Sequence, residues 1–218
     1  MNKKLVNDAE NFAKTANVSR ETLEKFMVYQ ELLSKWQKKI NLIGPSTIYN
    51  LWERHFLDSA QLMQYIPQKL HSGQIYDVGT GAGFPGLVLS IMGVKNVNLI
   101  DSDTRKCTFL REVVRQTEVN ANVINAHLPK DAQQNIYPEA SVIFARALAP
   151  LPKLLDIVFP VISPTTCCIL LKGEKFNEEI LNARVSWKFE LQTLDSQTSE
   201  SGKIIILNEV CRNESEVE

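Results

Sequence analysis

Residues 76–86 read YDVGTGAGFPG. Four glycines in eleven residues would each cost about 0.5–1 kcal/mol relative to alanine inside a helix or strand, so this stretch must need a bare main chain. The apolar run QIYDV leads into it and PGLVLSIM opens a helical run after it. A glycine loop between a strand and a helix lies where an open parallel sheet binds its ligands, beyond the carboxyl ends of the strands.

The same alternation continues from Gln74 onward. Short apolar runs, NVNLID, ANVINA, SVIFAR and TTCCILLKG, alternate with the helical stretches TRKCTFLREVVRQTE, LPKLLDIVF and NEEILNARVSW, which predicts a doubly wound, Rossmann-like α/β core. The last two apolar runs, KFELQTLD and KIIILNEVC, have only a polar loop between them and are expected to pair as an antiparallel hairpin at the sheet edge. Residues 1–70 read as a helical cap. Ser19 can cap a helix carrying Leu23, Phe26, Leu33, Trp36 and Ile40 on one stripe, and a second amphipathic run after Gly44 carries Ile48, Leu51, Trp52, Phe56, Leu57 and Leu62. The expected division is cap 1–70, core 71–211 and a disordered tail 212–218.

Composition is that of an ordinary globular protein: 218 residues, 44% hydrophobic and 22% charged, with net charge −1. No run reaches the roughly 18 apolar residues of a membrane span, and the amino-terminal stretch lacks a signal-peptide centre. A cytoplasmic, monomeric protein is expected. Cys107, Cys167, Cys168 and Cys211 lack C-x-x-C spacing and a histidine cluster, so they are read as buried thiols, with no metal site. The near-zero charge means that any nucleic-acid partner must be met by a local basic face.

Three ligand classes compete for the loop. A Walker-type phosphate cradle needs Gly-Lys-Ser/Thr, whereas Gly83 is followed by Phe84 and Pro85. A dinucleotide fits the literal G-x-G-x-x-G of Gly81 to Gly86, with Asp101 twenty positions beyond Gly81 to reach a ribose. Read two residues earlier, Asp77-Val78-Gly79-Thr80-Gly81-Ala82-Gly83 resembles the loop of S-adenosylmethionine-dependent methyltransferases. Asp77 separates the last two ligands. Beside a pyrophosphate it would be repelled by about 4 kcal/mol at 4 Å and intermediate dielectric, whereas beside an α-ammonium it is favourable. Its alternative role is that of a turn residue bonding its own backbone. Pro85 suits a first helical position, leaving first-turn N–H donors for a ligand carboxylate or for water. Asp101 can accept from ribose hydroxyls or cap the next helix, a task that Asp103 or Thr104 could also take.

The chain resembles the RsmG (GidB) family of bacterial methyltransferases, which act on guanosine N7 in 16S ribosomal RNA. The likeness is carried by NLIGPSTIYNLWERHFLDSAQL, IYDVGTGAGFPGLVLSI, NLIDSDTRKCTFLREV, ARALAPLPKLL and LLKG, in family order over residues 41–173. The resemblance implies a class I methyltransferase fold with S-adenosylmethionine held by Gly79, Phe84, the Leu128-Pro129 pair and Arg146, and 16S rRNA or the small ribosomal subunit as partner. One match is imperfect: where the family shows arginine, a small residue and glutamate, this chain has His127-Leu128-Pro129, then Lys130 and Asp131. Adenine contacts would then be backbone-only or come from Asp131.

The residues agree with that chemistry. An exocyclic-amine methylase typically presents Asn or Asp-Pro-Pro-aromatic after the fourth strand, where this chain reads ARALAPL, and no cysteine follows a proline as a pyrimidine-C5 methylase requires. Guanine N7 carries an in-plane lone pair and no proton, so no general base is needed and positioning suffices. Arg146 is the candidate catalytic, positioning residue: it could bond the guanine edge, a phosphate or the cofactor carboxylate, or form a buried salt bridge. Arg54, His55 and Lys172 are candidate RNA contacts, with Lys172 alternatively only solvated and His55 alternatively packed on Asp58. Lys35, Lys38 and Lys39 flank Trp36, which reads as core. The rival readings are a methyltransferase of another acceptor, an NAD-dependent oxidoreductase and a non-catalytic ribosome-binding module.

Overall fold

The computed structural model describes residues 3–70, 72–133 and 137–213. Five parallel strands, β1 (Ile75–Val78), β2 (Val97–Asp101), β3 (Ala121–Asn125), β4 (Val142–Arg146) and β5 (Cys167–Lys172), are followed by β6 (Trp187–Asp195) and β7 (Lys203–Arg212). They form one sheet in the order β3-β2-β1-β4-β5-β7-β6, with β7 antiparallel to both β5 and β6. The strand order reverses at β1/β4, so the loops after these two strands open side by side.

Each inner strand is buried on both faces, which explains its unbroken apolar run. Alternation sorts the side chains into two cores: Ile75, Val142, Phe144, Ile169, Ile204 and Ile206 on one face, Tyr76, Ile143, Ala145, Leu170, Ile205 and Leu207 on the other. Helices α6 (Leu151–Val158) and α7 (Phe176–Ala183) cover the second face; α4 (Gly86–Ile91) and α5 (Thr104–Thr117) cover the first.

The helices at the amino end share that first core. In α1 (Lys3–Thr15) and α2 (Arg20–Trp36), Phe12, Phe26 and Tyr29 pack with Trp52, Phe56 and Phe84 in a continuous aromatic cluster. Ser19 caps α2 by accepting from the Thr22 N–H. The helix ends short of Ile40 because the Gln37 amide accepts from the Leu42 and Ile43 N–H groups and donates to the Ile43 carbonyl. Trp36 is half-buried against Phe109, and Lys35, Lys38 and Lys39 are exposed.

The run after Gly44 is helical but irregular: a 3₁₀ turn (Pro45–Asn50), a π-helix (Trp52–Leu57), α3 (Asp58–Ala60) and a second 3₁₀ turn (Gln61–Tyr65). A π-helix of this kind is rare and re-aims side chains at functional sites; this one carries Arg54 and His55. Three expectations are corrected. Cys211 is exposed on β7 while the other three cysteines are buried. Arg212, read as tail, belongs to β7, pairing with Asp156 and lying over the Trp187 ring; residues 214–218 of that tail fall outside the described residues. Pro85 precedes the first turn of α4 as its N-cap.

Phe56 is fully buried where α1, α2 and the glycine loop meet. Because the helical layer and the sheet share a core, Phe56→Ala is expected to cost about 3–5 kcal/mol and to lower a single thermal transition measured by circular dichroism and tryptophan fluorescence together. Two separable transitions would show that the layers fold independently.

Candidate active site

The glycine loop is held by one carboxylate. Asp77 is the polar member of the buried strand β1, and its Oδ2 accepts from the Thr80 hydroxyl at 2.5 Å and the Gly86 N–H at 2.8 Å. Thr80 in turn accepts, at its carbonyl, from the Gly83 and Phe84 N–H groups. The first-turn donor expected to await a ligand is thus taken by Asp77, because α4 has no other cap at its amino end. The second oxygen, Oδ1, is buried without a partner among the described residues. Burial pushes the Asp77 carboxyl up to about 6, against the pull of Thr80, Gly86 and Arg146.

The bare main chain has two local causes. Gly83 has φ +100°, and a Cβ there would lie 2.5 Å from the Tyr29 hydroxyl, which donates to the Ala82 carbonyl. Gly79 has φ +68°, and its Cβ would strike Leu148 at 2.5 Å. Leu148 follows Ala147, a non-glycine residue at φ +53°, so strain is concentrated just past β4.

Two cavities flank this segment and share Ala147, Leu148 and Ala149 as a wall. The first, of about 480 Å³, is lined among others by Gly79, Asp101, Ala126, Leu128, Pro129 and Ile157. Asp101 accepts from the Gly81 N–H at 2.9 Å and the Asp103 N–H at 2.8 Å, while Asp103 itself caps α5. Asp131 turns its carboxylate back onto the His127 N–H. The second cavity, of about 600 Å³, is lined by Arg54, Asp58, Arg146 and Lys172, by Ser196, Ser199 and Gly202 of the β6–β7 loop and by Lys203 at the start of β7.

Arg146, at the carboxyl end of β4, is gripped on three sides. One Nη1 donates to the Arg54 carbonyl and to Asp58 Oδ2, both at 3.1 Å, and Nη2 donates to His55 Nδ1 at 2.7 Å. The guanidinium lies over the Phe84 ring. Since His55 Nδ1 accepts, its proton sits on Nε2 and is donated to Thr47, whose hydroxyl donates to the Gly44 carbonyl. Burial, then Arg146 and Arg54, lower the His55 ring to about 3, so it stays neutral. Of five guanidinium N–H donors, the Nε and one Nη2 hydrogen have no partner among the described residues.

Several sequence-derived site residues are thereby corrected or sharpened. His55 is buried and serves Arg146 instead of reaching an RNA surface. Lys172 lines the second cavity with its ammonium already engaged: it donates to Glu179 at 2.7 Å and the Ala149 carbonyl at 2.9 Å, anchoring the wall between the cavities. The Phe84 side chain is buried under Tyr29, His55 and Arg146, so it can offer a ligand only main chain. Arg54 is exposed and lines the second cavity. Sequence reasoning missed Tyr29, although it stands three residues after Phe26 on the same stripe, and Leu148.

The model of rRNA small subunit methyltransferase G (GidB) matches residues 22–205. The chain belongs to that family. It is 43% identical over 207 residues to ribosomal RNA small subunit methyltransferase G of Paramagnetospirillum magneticum, covering 95% of this chain and 98% of the relative. To the Rickettsia akari protein of the same name it is 42% identical over 189 residues, covering 86% and 94%. The fold is that of class I methyltransferases: an O-methyltransferase from Bacillus cereus in complex with SAH superposes with a TM-score of 0.54 at 11% identity, covering 88% of this chain and 91% of that one.

Asp77 supplies a stability test. Its raised carboxyl favours the folded state when protonated in both states, so this stabilisation is complete below about pH 4, is lost as pH rises toward 6, and stays lost above. Asp77→Asn lacks that titration. Chemical denaturation is expected to show the variant gaining on wild type between pH 4 and 7, by on the order of 3 kcal/mol. Parallel pH profiles would place the buried charge elsewhere.

Proposed function

We propose that the protein transfers a methyl group from S-adenosylmethionine to N7 of a guanosine in 16S ribosomal RNA. The carrying observation is Arg146, fixed in a fork with two donors to spare, on the wall of a cationic cavity that shares Ala147, Leu148 and Ala149 with a nucleoside-sized one. Family membership supplies the RNA class.

The first cavity fits the methyl donor. Asp77 Oδ1, orphaned and buried, matches an ammonium; bare Gly79 lets a ligand approach the main chain; the Asp101 carboxylate matches ribose hydroxyls. Ala126, Leu128, Pro129 and Ile157 offer an apolar slot for adenine. Asp131, engaged at His127, leaves that slot without a side-chain acid, so adenine is read by shape and main chain. When bound, the donor supplies an electrophilic sulfonium methyl.

On the other side, Arg54 faces RNA phosphates, while Lys203 on the same cavity is paired with Asp195. The spare donors of Arg146 suit guanine O6, which leaves the N7 lone pair directed at the methyl. Neutral His55 keeps Arg146 in this orientation and takes no proton, in keeping with a nucleophile that has none to give.

The test is to map N7-methylguanosine in 16S rRNA from cells with the protein, without it, and with Arg146→Lys, which keeps the charge toward Asp58 but loses the fork. One site is expected to be modified with wild type, absent without the protein, and at least tenfold depleted with the variant, the order of a charged hydrogen bond. Unchanged modification in the deletion would overturn the proposal.

A further inference from the structure

Resting on the methyltransferase reading, we infer that the β6–β7 loop, acting through Thr198, Gln61 and Asp58, is a positioning device for Arg146 and forms the far wall of the RNA acceptor site. Asp58 uses its two oxygens for different partners. Oδ2 accepts from Arg146 at 3.1 Å, and Oδ1 accepts from the Thr198 hydroxyl at 2.5 Å and the Gln61 amide at 3.0 Å. Gln61 holds the same loop from the other side, accepting from the Gln197 N–H at 2.8 Å and donating to Ser196 at 3.2 Å. Thr198, 140 positions from Asp58 in the chain, therefore shares that carboxylate with Arg146.

The loop is also placed to feel the substrate. Ser196, Ser199, Gly202 and Lys203 line the acceptor cavity opposite Arg54 and Arg146. Thr198 is half-buried, and its hydroxyl donates to Asp58 on that cavity's wall. Bonded to both Thr198 and Gln61 at Oδ1, the carboxylate presents Oδ2 to Arg146 in one orientation; without the Thr198 hydroxyl, Oδ1 keeps only the 3.0 Å Gln61 bond and the group can turn about its Cβ–Cγ bond. RNA pressing on the loop thus sets the pose of the guanidinium without touching it.

The experiment compares wild type, Thr198→Val, Thr198→Ala and Thr198→Ser on small ribosomal subunits lacking the modification, with donor affinity by calorimetry and melting temperature alongside. The valine and alanine variants are expected to lose roughly tenfold in kcat, the scale of one hydrogen bond to a charged group, with S-adenosylmethionine affinity and melting temperature within error of wild type. Serine restores the hydroxyl and the rate. A kcat within twofold of wild type for valine and alanine overturns the inference, as does a loss matched by weaker donor binding or not rescued by serine. Inactive wild type would instead reject the underlying functional reading.

Discussion

Everything at the site depends on the Asp77 carboxylate lying inside the protein. A buried carboxylate is costly, and it persists here because Oδ2 replaces two bonds to water with the Thr80 hydroxyl and the Gly86 N–H. Those bonds stop the chain from continuing as a strand and start α4 without a conventional capping residue. The loop so formed passes under Tyr29 and Leu148 too closely for side chains at residues 83 and 79. The glycines follow from the carboxylate's position, and the cleft follows from the glycines.

A second, half-buried pairing organises the other side of the loop. Arg146 and Asp58 each keep about one-sixth of their side chain exposed, a setting in which an ion pair specifies geometry more than it adds stability. The π-helix and the first residue of α3 bring three acceptors, the Arg54 carbonyl, His55 Nδ1 and Asp58 Oδ2, to one guanidinium. A regular α-helix presents side chains on a face every third or fourth residue. The irregular winding lets main-chain and side-chain groups from neighbouring residues converge, and Phe84 closes the stack from below. The helical layer at the amino end is thereby part of the site as well as of the core.

The parts of the molecule governed by local pattern were readable from the chain. Strand runs such as SVIFAR and TTCCILLKG are buried on both faces and therefore apolar throughout, and the terminal hairpin announced itself by the absence of a crossover helix. The glycine frame placed the loop and singled out Asp77. What stayed hidden depends on partners far apart in sequence. Lys172 looks like any strand-end lysine until Glu179 and the Ala149 carbonyl are beside it. His55 reads as a basic surface residue until burial makes it a neutral acceptor. Thr198 sits in a polar loop with no periodicity at all, and only the fold brings it 2.5 Å from Asp58. The R-H-F-L-D-S stretch carried a signal, since Arg54 and Asp58 are four apart, but not its addressee.

The central claim is that the Asp77-held loop receives the cationic amino-acid end of a sulfonium donor and not a diphosphate. Calorimetric titration of the purified chain with S-adenosylmethionine and with NAD tests this most directly. The account predicts one S-adenosylmethionine bound per chain and no measurable heat of binding with NAD. Saturable NAD binding, with none for S-adenosylmethionine, would contradict it.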